Sequence, residues 1–99
     1  MIRGTTPRLD FYLPFNVDAL NEAYVTFAQN GETVFEKTLD ECDTEQNRII
    51  VKPTQEETLK LREGSMVEIQ IRAKTAKGDA LASNIMRESA DRILKEGVI

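Results

Sequence analysis

Two alternating segments, Ala23 to Gln29 and Glu32 to Thr38, flank Asn30-Gly31. Asn-Gly between β-branched and aromatic alternation is the strongest short-range hairpin signal a chain can carry. The run makes this a β protein with one wet sheet face, and it poses a question of register. A two-residue Asn30-Gly31 loop sets Phe27 opposite Val34 and turns Phe35 to the other face. A three-residue Gln29-Asn30-Gly31 loop, with Gly31 as a left-handed bulge, sets Val25 opposite Phe35. The second puts Val25, Phe27 and Phe35 on one face. A phenylalanine gains more from burial than a valine, so the three-residue loop is expected.

Similar alternation marks the other strands. Leu9, Phe11 and Leu13 share one face of Arg8 to Leu13, with Arg8, Asp10 and Tyr12 on the other. Pro7 and Pro14 bracket this strand, which places it at a sheet edge, where a missing donor is tolerated. Arg48 to Lys52 forms a short strand after the acidic loop Asp40 to Asn47. Thr54 and Glu57 form a capping box for a helix reaching Leu61 at most, before Glu63-Gly64. Met66 to Lys74 is the clearest strand. Val67, Ile69, Ile71 and Ala73 point one way; Glu68, Gln70, Arg72 and Lys74 form its wet side. The last twenty residues fit either one helix from Asp79 to Glu96 or a strand from Ala80 to about Arg87 and a short helix capped by Ser89. The expected core is Leu9, Phe11, Leu13, Val25, Phe27, Phe35, Ile49, Val51, Leu59, Val67, Ile69, Ile71, Leu81, Ile85 and Ile93.

Ninety-nine residues suit one domain with one core. A net charge of −4 gives no long-range attraction for phosphate backbones or anionic lipid, so neither nucleic acid nor membrane is expected as a partner. No stretch approaches a transmembrane length, and the opening residues lack the apolar core of a signal peptide. The sole cysteine, Cys42, reads as a small half-buried residue in a reducing compartment. The chain contains no histidine, which removes Ser-His and Cys-His nucleophile pairs and histidine-ligated zinc. No glycine-rich phosphate loop is present. Asp40, Glu41, Asp43 and Glu45 lack the spacing that bends a chain around calcium, and read as a solvated loop. No catalytic, cofactor-binding or metal-ligating residue is assigned, and no small-molecule substrate is expected.

Four segments fall together in this chain: Met1-Ile-Arg-Gly-Thr-Thr-Pro7, Val25-Thr-Phe-Ala-Gln-Asn-Gly31, Leu81-Ala-Ser-Asn-Ile85 and Arg92-Ile-Leu-Lys-Glu-Gly-Val-Ile99. The set resembles a family of small proteins encoded in prophages of Gram-positive, clostridia-like bacteria, over nearly the whole chain. The resemblance implies an immunoglobulin-like β-sandwich of the kind common in phage tail and baseplate proteins. It brings no catalytic residue. Relatives carry threonine and valine where this chain has Arg87-Glu-Ser-Ala-Asp91, which favours the strand for Ala80 to Arg87.

The expected fold is therefore a mainly β, antiparallel immunoglobulin-like sandwich of about six or seven strands with a short carboxy-terminal helix. The alternative is an α+β sheet carrying one long helix. The expected function is that of a non-catalytic phage structural or assembly protein, acting by protein–protein contact in the tail or baseplate region. Its partners would be other phage structural proteins or its own copy, in the host cytoplasm during assembly, with the virion as a further destination. A host-surface carbohydrate-binding module is the alternative, weakened by the shortage of aromatic platforms. Arg8, Asp10, Tyr12 and Tyr24 are the candidate interface residues, because edge strands recruit other strands and exposed tyrosines anchor contacts.

Overall fold

The computed structural model describes residues 1–99. Period-two alternation produces eight strands in two antiparallel sheets, with one short helix. Strands β1 (Leu9–Tyr12), β5 (Arg48–Val51) and β4 (Asp43–Glu45) form a three-stranded sheet in the order β1-β5-β4. The five-stranded sheet runs β3 (Glu32–Thr38), β2 (Leu20–Gln29), β6 (Met66–Thr75), with β7 (Ala80–Ala82) and β8 (Met86–Ser89) both paired to the far edge of β6. The inner faces meet in one core, built from Val25, Phe27, Phe35, Val67, Ile69 and Ile71 of the large sheet and Ile49 and Val51 of the small one. The architecture is mainly β and sandwich-like. The segment expected to be an acidic loop is partly ordered as β4, because Asp43 to Glu45 pairs with Arg48 to Ile50.

The hairpin satisfies both of its constraints by a route the sequence did not suggest. Asn30 and Gly31 both have positive φ, 51° and 79°, and Gln29 faces Glu32 across a two-residue loop. The three-residue loop is not formed. A two-residue turn of this hand matches the twist of the strands it joins. Phe35 still reaches the core, because Ala28 pairs with Thr33 while Phe27 pairs with Phe35, leaving Val34 as an extra residue. That β-bulge reverses the side-chain parity of β3. The rings of Phe27 and Phe35 stack with centroids 4.3 Å apart, and Val25 stands opposite Lys37 rather than Phe35.

Polar groups inside the sandwich are tied down. Gln29 is fully buried; its Nε2 donates to the carbonyls of Arg62 (2.8 Å) and Ser65 (3.1 Å), and its Oε1 accepts the Arg62 amide (2.8 Å). The inward Lys37 ends on Glu57 Oε1 at 2.7 Å. Glu57 lies in helix α1 (Gln55–Leu59), and the same oxygen accepts the Thr54 amide at 2.9 Å, completing the expected capping box. Arg3 donates to the carbonyls of Leu59 and Leu61 at the other end of α1. Leu61 is fully buried there, while the expected core residue Leu59 is only half-buried.

Neither carboxy-terminal helix forms. Residues 80–89 make two short strands, and residues 90–99 follow an irregular path. A helix capped by Ser89 would need the carbonyls of Ala90 and Asp91 for its own first turn. The Gly64 amide takes the first (3.1 Å) and the Arg3 amide the second (3.0 Å), while Asp91 N–H donates to the Met1 carbonyl (2.9 Å). Ile93 is half-buried against Gly4, whose φ of +71° favours glycine and where an added Cβ would press on Ile93 Cδ1. Leu81 and Ile85, expected in the core, are exposed. Leu81 stands opposite the inward Ala73, but no strand of the small sheet extends over it.

Two stability predictions follow from this packing. Ile69 is buried opposite Phe27, and Ile69→Ala should cost about 2–5 kcal/mol. The neighbouring Glu68, paired at the surface with Arg87 (3.1 Å), should tolerate alanine within about 0.5 kcal/mol. Equal midpoints in denaturant melts would contradict the face assignment. Burial would raise the Glu57 carboxyl, but hydrogen bonds from Lys37 and the Thr54 amide outweigh it and hold the group below the usual glutamate range. A lowered folded pKa stabilises the protein above the ordinary glutamate value, and that contribution is lost as pH falls through the folded value. Thermal melts should therefore show wild type well above Glu57→Gln at neutral pH, with the gap closing on acidification through the carboxylate range. A gap independent of pH would refute the assignment.

Candidate functional site

The small sheet is narrower than the large one, and the mismatch opens one side of the sandwich. Beyond β1 the inner surface of β7 is uncovered, leaving a groove of about 470 Å³. Phe11, Leu13 and Phe15 line one wall; Ile71, Leu81 and Met86 line the other. Strand β1 forms the lip of this groove and is the outermost strand of its sheet, as Pro7 and Pro14 imply.

The direction of the β1 backbone groups can be assigned. The Leu13 amide donates to the Asn47 carbonyl at 2.7 Å, in register with Leu9 opposite Val51 and Phe11 opposite Ile49. Alternate residues of an antiparallel strand point their N–H and C=O to the same neighbour. Leu9, Phe11 and Leu13 therefore bond to β5, and Arg8, Asp10 and Tyr12 turn theirs to the open edge. Pro14 would be next in that row, and it has no N–H.

On the outer face, the same three side chains belong to a charged lattice. Arg8 donates to Asp10 (2.9 Å), and Arg48 bridges Asp10 (3.3 Å) and Glu45 (2.7 Å). Lys52 meets Asp43 at 3.2 Å. Arg48 also lies 6.0 Å from the centroid of the exposed Tyr12 ring, a cation–π contact. The hydrogen bond from Arg8, with further help from Arg48, holds the Asp10 carboxyl below its ordinary value against a smaller opposing effect of burial. In the middle of this lattice Ile50 is buried apart from the main core. It faces Asp10 and Asp43 across the ladder.

Arg8, Asp10 and Tyr12 are thus brought together, and Tyr24 is not. Tyr24 alternates with the buried Ala23 and Val25, so it points outward from the large sheet, away from Tyr12. Its hydroxyl donates to Glu22 at 3.1 Å, which raises its pKa. Cys42 is half-buried, and burial pushes its thiol up, away from the reactive thiolate. The acidic residues of the 40–45 segment do not converge into a group that could hold a metal.

The other sheet edges are blunted. β3 is bent by its bulge and turns Lys37 inward, two devices that discourage strand addition. β4 is three residues long with two exposed acids. β7 and β8 are separated by residues 83–85, and the amide, hydroxyl and carbonyl of Ser83 all bond to Gln70 or Ile71 of β6. β1 has neither bulge nor inward charge, and it borders apolar surface. Comparison of the chain with protein-family models, with curated proteins and with solved structures finds no match. Amide exchange in dilute solution checks the backbone assignment: Phe11 and Leu13 should exchange slowly, Asp10 and Tyr12 fast. The reverse pattern would overturn the assignment, and slow exchange at all four would mean that the edge is closed.

Proposed function

We propose that this chain is a non-catalytic structural or assembly protein that works by protein–protein contact, with the β1 edge and its groove as the docking surface. One observation carries the reading: the outward-facing backbone row of Arg8, Asp10 and Tyr12 runs into the lip of an uncovered apolar groove, which Asp10 and Tyr12 help to line. An added strand would gain ladder hydrogen bonds on one side and apolar burial on the other, the physics of strand-addition recognition. The sequence resemblance supports a role in the tail or baseplate region of a phage. Other phage structural proteins or its own copy would then be the partners, met in the host cytoplasm during assembly. The same resemblance supports an immunoglobulin-like arrangement as the finer description of the two sheets. A carbohydrate-binding module would need aromatic rings grouped on one surface, and Tyr12 and Tyr24 lie on opposite faces.

Asp10→Pro tests the reading, because the amide at position 10 points to the open edge and the β1–β5 ladder does not use it. Asp10→Ala keeps that amide and controls for the lost carboxylate. In pull-downs from phage-producing cells, tagged wild type and Asp10→Ala should retain the edge partner, a tail protein or untagged copies of this chain, and a folded Asp10→Pro should lose it. Equal retention by all three sinks docking at this edge. Mass spectrometry of purified virions and a glycan array separate the two classes of function. Glycan binding without virion incorporation would favour the carbohydrate module.

A further inference from the structure

We infer that the strand added to β1 is β1 of a second copy of this chain, antiparallel, with Arg8 opposite Asp10 of the other copy. The inference rests on the docking reading and names its occupant. Leu9, Phe11 and Leu13 direct their amides to β5, so an incoming strand can bond only to Arg8, Asp10 and Tyr12. A second β1 obeys the same parity, which leaves few antiparallel registers. Asp10 opposite its own copy sets two carboxylates against each other, and Arg8 opposite its copy does the same with two guanidiniums. Asp10 opposite Tyr12 brings Pro14 opposite Arg8, and Tyr12 opposite its copy brings Pro14 opposite Asp10; each wastes a bond, because proline has no N–H. Arg8 opposite Asp10 is the register in which opposite charges face each other, and the twofold axis makes the match occur twice.

This register uses the remaining residues without conflict. Arg8 and Asp10 already bond within one chain, so the four side chains alternate in sign around the axis. Leu9, half-buried in the single chain, meets Leu9 of the second copy at a position where side chains approach most closely. Pro7 falls opposite Phe11, whose amide already serves β5, so its missing donor costs nothing there. The two small sheets join into one six-stranded sheet, and the contact is isologous, closing after two copies.

Charge reversal reads both the association and its register in sedimentation velocity. Wild type should sediment at twice the single-chain mass. Arg8→Glu and Asp10→Arg, each alone, set like charges together and should sediment as single chains. Their equimolar mixture pairs Glu with Arg and Asp with Arg, and should recover the doubled mass. If Asp10→Arg fails to fold beside Arg48, disulfide trapping in a Cys42→Ser background reads the same contact. A bonded pair holds its Cα atoms about 5.5 Å apart, within disulfide reach. Arg8→Cys mixed with Asp10→Cys should then cross-link to each other in preference to themselves. A single-chain wild type overturns self-pairing, and the pull-down with Asp10→Pro decides docking separately. A dimer in which Asp10→Cys cross-links mainly to itself overturns the register.

Discussion

The pairing of β2 with β6 is the constraint on which the rest of the molecule depends. Ala23 faces Ala73, Val25 faces Ile71 and Phe27 faces Ile69, so one register supplies most of the large sheet's inner surface. A slip of one residue in either strand would turn its three side chains outward. β3 must fit this register as well as its own turn, and the bulge at Val34 reconciles the two. Lys37 then points inward, and Glu57 is the counter-charge that makes this tolerable. A helix of five residues, too short to be stable alone, is held against the sheet by that bond and by Arg3.

The most legible parts of the fold were those whose cause is local. Alternation over Met66 to Lys74 and the Thr54–Glu57 capping box depend on neighbours in the chain, and both stand where the sequence put them. The hairpin was legible in kind and misjudged in detail. Neither loop length alone describes it, because the chain combines the shorter loop with a bulge, a solution that needs β6 to define the core face. The carboxy-terminal helix failed for a non-local reason. Its first carbonyls are taken by Arg3 and Gly64, residues that no window around Ser89 contains.

The candidate site divides along the same line. Two prolines were enough to place β1 at an edge, and period two was enough to put Arg8, Asp10 and Tyr12 on one face of it. The separation of Tyr24 followed only once β1 and β2 were seen in different sheets. The groove had no sequence signal. It arises from a difference in width between two sheets, and the apolar character of Leu81, which pointed to burial, is the same whether a further strand covers it or solvent does.

The blunting of three edges sets the number of partners the molecule can hold. A strand laid on β1 would find the bulged β3, the short β4 and the interrupted β7–β8 edge unable to receive another. The chain has, in effect, a valence of one. In a growing assembly such a unit terminates or joins; it does not polymerise.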